Sequence, residues 1–96
     1  MYELREIRTN DKSTICRFLR NLKFLKETEV SQIWQNLMEN TFDFIFRILI
    51  IENGNVVAVL GGFNDKNKES MILSPFYIKT VEVEEAIINY VKQNTP

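Results

Sequence analysis

Ninety-six residues, 45% hydrophobic and 11% aromatic, suffice for one domain with a small core, spanning residues 1–96. Twelve basic against 13 acidic side chains leave a net charge of -1, which argues against a general nucleic-acid binder, whose affinity rests on neutralising phosphates. There is no histidine, which excludes Ser-His and Cys-His catalytic pairs and histidine metal sites, and the single cysteine, Cys16, has no internal disulfide partner.

A lone cysteine fits a reduced, cytoplasmic setting. The N-terminus, Met1 to Glu6, is too charged for a signal peptide, and the longest apolar run, Ile48 to Ile51, is too short to span a membrane. No membrane or nucleic-acid partner and no metal site is therefore expected.

Tyr2 to Arg8 reads as a first strand, with Tyr2 and Leu4 alternating with charged neighbours. Asn10 or Asp11 then caps a helix whose apolar face is Ile15, Phe18, Leu19 and Leu22. Its other face carries Arg17, Arg20, Lys23 and Lys26, a solvated stripe or a grip for an acidic partner. Thr28 is the expected cap of a second helix, with Glu29 in its first turn. Val30, Ile33, Trp34, Leu37 and Met38 form its apolar stripe, so Trp34 reads as core before it reads as a ligand platform. Asn40 and Thr41 end that helix.

Phe42 to Ile51 is the strongest strand signal in the chain. Asn53-Gly54 marks a hairpin turn with positive φ at Gly54, and Val56 to Leu60 returns as the partner strand. Gly61-Gly62 is expected to end that strand, with a bulge or a close ligand approach as alternatives. After a polar loop, Asn64 to Lys68, comes a fourth strand, Ser70 to Ser74, closed by Pro75. Thr80 caps a last helix with Val83, Ile87, Tyr90 and Val91 on its inner face.

The order β-α-α-β-β-β-α implies an α+β domain with a mainly antiparallel sheet packed by helices. One core is expected from Phe18, Leu22, Trp34, Leu37, Phe44, Phe46, Val57, Val59 and Ile87, with Ile45 and Ile48 replacing their strand neighbours if the opposite face is inward.

This order, with these residues, resembles the N-terminal half of a GNAT-superfamily N-acetyltransferase. Ile7 to Asp11 is similar to the family's opening strand and acidic helix start, and Ile15, Phe18, Leu19 and Leu22 match its first helix. Ile50 to Ala58 is similar to its central hairpin, and Leu73-Ser74-Pro75-Phe76-Tyr77 with Ala86-Ile87-Ile88 to its fourth strand, Pro-x-Tyr turn and third helix.

The resemblance implies an acetyl-CoA pyrophosphate loop, Arg/Gln-x-x-Gly-x-Gly/Ala, whose signature positions fall here on Ile78, Lys79, Val81 and Val83. No glycine stands among them, and Glu82, Glu84 and Glu85 oppose an anion at the helix start. Lys79 is the one compensating cation. The family also continues beyond this helix, where its general acid often lies, and this chain stops at Pro96. No catalytic residue is assigned: Glu52 and Glu69 sit on no matching position.

The leading expectation is a degenerate, half-length, non-catalytic domain: a pseudoenzyme with no cofactor, acting as a protein-binding, regulatory or inhibitory module. It associates with itself as a homodimer, or with a partner protein, through an open strand edge at Met71, Ile72, Leu73, Phe76 and Tyr77. The alternative is a minimal acetyl-CoA-dependent N-acyltransferase whose active site is completed by a second subunit.

Overall fold

The computed structural model describes residues 2–39, 43–64 and 71–94. Among them, β1 (Tyr2–Glu6), α1 (Lys12–Asn21), α2 (Glu27–Glu39), β2 (Phe44–Glu52), β3 (Asn55–Asn64), β4 (Met71–Tyr77) and α3 (Val81–Asn94) follow one another. The strands form one antiparallel sheet in the order β1-β2-β3-β4, so the α+β class and the order of elements are as expected.

The single core is the main correction. Ile15, Phe18, Leu19, Val30, Leu37, Leu49 and Val59 pack between α1, α2 and one face of the sheet. Ile48, Ile50, Ala58, Leu60, Val83 and Ile87 pack between α3 and the other face. Both faces of β2 and β3 are therefore covered, which is why Ile48 to Ile51 is an unbroken apolar run and not an alternating one. The nine expected residues divide accordingly. Phe18, Leu22, Trp34, Leu37, Phe44 and Val59 belong to the first core, and Phe46, Val57 and Ile87 to the second. Ile48 is buried beside Phe46 and does not replace it, whereas Ile45 is 48% exposed.

Ile45 is exposed because β2 bulges there: Phe44 faces Phe63 and Phe46 faces Gly62 across the ladder, leaving one residue over. A second bulge leaves Val57 unpaired between Val56 and Ala58. The hairpin turns through Asn53 (φ 51°) and Gly54 (φ 82°), both left-handed as an Asn-Gly turn requires.

Gly61 and Gly62 do not end β3. They lie within it, paired with Arg47 and Phe46 on one side and with Ser74 and Leu73 on the other. A Cβ on Gly61 would sit 2.5 Å from the Phe44 ring, and one on Gly62 would sit 2.5 Å from the Phe46 ring. The two phenyl rings occupy the space that the missing side chains leave, Phe44 in the first core and Phe46 in the second.

Pro75 does not end β4 either. It pairs with Leu60, and the strand runs on to Tyr77. The Ile78 N–H bonds to Val57 O at 3.0 Å, so counting back by twos places positions 76 and 74 toward β3 and position 75 toward the open side. A missing N–H there breaks no bond of the ladder, which is why an edge strand tolerates the proline.

Two helix starts differ from expectation. Thr9–Asp11 forms a short 3-10 turn ahead of α1, and the Asp11 carboxylate makes no cap bond to α1. It accepts instead from Arg8 N (2.7 Å) and from both Nη atoms of Arg5. Thr28 lies inside α2, whose start is closed at Lys26: its N–H bonds to Glu29 Oε1 at 2.9 Å, the backward half of a capping box. The first strand ends at Glu6, two residues early, and Ile7 turns into the first core. Asn40, Thr41 and Phe42, the polar loop from residue 65 onward, Glu69 and Ser70 lie outside the described residues.

Candidate functional site: the β4–α3 turn and the groove beside it

The chain leaves β4 and enters α3 through Ile78, Lys79 and Thr80. The Ile78 N–H is held by Val57 O, at the bulge of β3, and the Thr80 N–H by Ile78 O at 2.9 Å. The Thr80 hydroxyl caps the helix as expected, accepting from Val83 N at 3.2 Å, and Glu84 N closes the first helical bond on Thr80 O. The four positions laid on a phosphate loop therefore scatter. Ile78 and Val81 point outward, 44% and 66% exposed, and Lys79 is exposed. Val83 is buried in the second core. The amides of Ile78 and Val83 are already bonded within the chain.

The electrostatics of this turn are acidic. Glu82 and Glu84 lie in the first turn of α3, Glu85 follows, and all three are exposed. Carboxylates here suit the positive end of the helix dipole and oppose an anionic ligand. The Tyr77 hydroxyl donates to Glu84 Oε2 over a long 3.4 Å. Partial burial first, and the Glu84 charge second, push the Tyr77 phenol above its usual range.

Between the end of β4 and the outer side of α3 lies a groove of about 120 Å³, walled by Pro75, Tyr77, Glu84, Ile87 and Ile88. Its lining is apolar apart from Glu84 and the Tyr77 hydroxyl. Ile88 is 50% exposed at its lip. β4 is an outer strand of the described sheet. Of the expected edge residues, Tyr77 reaches this groove and the second core, while Phe76 packs against the first core on the opposite face. The side chains of Met71, Ile72 and Leu73 lie outside the described residues.

No family model matches the sequence, and no curated protein matches it. Solved structures do match the fold. One is described as a probable acetyltransferase from Staphylococcus epidermidis, 17% identical, with a TM-score of 0.59 over 98% of this chain and 68% of that one. Another is an acetyltransferase of the GNAT family from Streptococcus pneumoniae, 16% identical, with a TM-score of 0.56 over 98% of this chain and 69% of that one. The fold is GNAT-like. At these identities the likeness carries the architecture and leaves the chemistry open.

Within the GNAT-like frame, other side chains singled out in the sequence take structural places. Cys16 and Trp34 belong to the first core, Cys16 fully and Trp34 in part. Glu52, the last residue of β2, pairs across the sheet with Tyr2. Arg20, in the basic stripe, is held by Glu27 through three contacts of 2.7 to 3.0 Å that bridge the α1–α2 connection.

The sequence reading passed over Phe24. It sits in that connection, 67% exposed, between Lys23 and Lys26, which are exposed as well. Lys23 has left-handed φ (67°) just past the end of α1, the conformation that commonly closes a helix. Arg47 was also missed: it stands half-buried on β2 and donates to the Leu37 carbonyl of α2. A cation at the last carbonyls of a helix leaves no local spacing signal, because its partner is ten residues away. Among the described residues no helix is long and apolar enough to cross a membrane.

Proposed function

We propose that this chain is a non-catalytic, protein-binding domain on a GNAT-like fold, with its binding surface at the open β4 edge and the adjoining α3 groove. The turn into α3 carries this reading. A pyrophosphate needs glycine-lined backbone N–H groups at a helix start. Here Thr80 takes the Val83 amide, Val57 takes the Ile78 amide, and three glutamates surround what is left. The apolar groove beside the same turn offers a side-chain socket instead. The role is regulatory or inhibitory, through a second copy or another protein.

Equilibrium dialysis against labelled acetyl-CoA tests the reading. No retention at micromolar ligand is expected, and the amide resonances of Lys79 to Glu84 should stay in place during a CoA titration. Retention together with shifts at those amides overturns it.

The likeness to acetyltransferases favours a second reading, an acetyl-CoA-dependent N-acyltransferase whose active site is completed by a second subunit. Under that reading acetyl-CoA binds only to the assembled species, so retention rises with protein concentration.

A further inference from the structure

We propose that the groove between β4 and α3 receives Phe24 from a second copy of this chain. Lys23 and Lys26 of that copy then meet the Glu84 carboxylate on the groove wall. The inference rests on the protein-binding reading and names the partner.

Knob and socket complement each other in shape and in charge. Phe24 is the most exposed large apolar side chain of the described residues, at 67%, and Ile88, which lines the groove, is 50% exposed. The groove, about 120 Å³, approaches the roughly 150 Å³ of a protein cavity that takes a benzene ring. Phe24 is flanked by the exposed cations Lys23 and Lys26, while Glu84 forms part of the groove wall; Glu82 and Glu85 line the other side of α3, with Tyr2 and Leu4 of β1. Arg20 stays with Glu27 and needs no new partner.

One chain cannot satisfy itself. Phe24 belongs to the α1–α2 side of the sheet and the groove to the α3 side, so the covered sheet separates them. The contact is therefore heterologous, knob of one copy into socket of the next, and it builds rings or open rows. Backbone pairing along β4 is the weaker route, because Pro75 removes an outward-facing donor from the middle of that edge. One ring in one groove buries little area, which places the contact below about 1,200 Å², among transient interfaces. Its ion pairs lie at the rim and weaken with salt.

Sedimentation velocity of the full chain at low salt, over rising concentration, reads the contact. The wild type should show concentration-dependent association that falls as salt is added. Phe24→Asp and Ile88→Asp should each sediment as monomers with unchanged circular dichroism, since both positions are solvent-exposed. Mixed together, they should form a one-to-one dimer, because the first keeps its socket and the second its knob. Glu84→Lys should weaken association, and Lys23→Glu in the same chain should restore it.

A wild type that stays monomeric overturns the proposal. So does a Phe24→Asp variant that associates as the wild type does, which points to strand pairing along β4. So does the absence of a dimer in the mixture. None of these outcomes touches the dialysis result, so this inference can fail while the protein-binding reading stands.

Discussion

Arg5 and Asp11 face each other across the join between β1 and α1, with Nη1 on Oδ2 at 2.9 Å and Nη2 on Oδ1 at 2.8 Å. The Asp11 carboxylate, only 9% exposed, also accepts the Arg8 N–H. The Arg5 fork is the larger cause, and the Arg8 amide a further one, of an Asp11 pKa below the ordinary carboxylate range. A lowered folded-state pKa adds stability that is complete above the unfolded-state value, near 4, and is lost as pH falls through the folded value. The wild type should therefore lose stability on acidification below about pH 4. Asp11→Asn should be less stable at neutral pH, by about 1.5–3 kcal/mol for hydrogen bonds to a charged group, and should show a flatter acid profile. Urea midpoints measured from pH 7 down to pH 3 compare the two slopes.

The glycine pair of β3 makes a sharper test, because each glycine answers to one ring. Gly61→Ala should push the Phe44 ring aside and cost about 1–3 kcal/mol, as overpacking does. Phe44→Leu in the same chain should recover part of that loss, whereas Phe46→Leu should not. Gly62→Ala should show the reverse preference. Double-mutant cycles by chemical denaturation measure both couplings.

Gly54 has open space where a Cβ would stand, so its constraint is its φ of 82° alone. Gly54→Val should destabilise by about 1–2 kcal/mol, the cost of left-handed backbone for an ordinary residue. Gly54→Asn should cost less, since asparagine tolerates that region. Equal thermal midpoints for the valine variant and the parent would contradict the turn geometry.

Truncating Phe18, buried in the first core, should cost about 3–5 kcal/mol. Trp34, packed at the edge of the same core and partly exposed, should cost less when replaced by alanine. Urea melts of the two variants should rank in that order.

The sequence exposed the elements and their order because apolar spacing and turn residues are local signals. The Asn-Gly hairpin and the Thr80 cap were legible for that reason. The division into two cores was not: Phe44 and Phe46 share a parity and should share a face, and only the bulge at Ile45 turns them apart. Gly61-Gly62 reads as a break until the rings filling its space are known. Pro75 reads as a terminator because its register against Leu60 is invisible in one dimension. The candidate site followed the same pattern. Its acidic helix start was plain in the residues, while the groove needed β4 and α3 to be placed side by side, and Phe24 stood out only once its exposure was known.

The two faces of the sheet also carry different chromophores. The one tryptophan, Trp34, packs against the first core, and the three tyrosines, Tyr2, Tyr77 and Tyr90, all pack against the second. Indole emission thus reports the α1–α2 layer, and phenol absorbance reports the α3 layer, with no engineered label. If α3 lifts away before the rest melts, the tyrosine signal will move at lower denaturant than the tryptophan signal. If the chain unfolds as one unit, the two curves will superimpose.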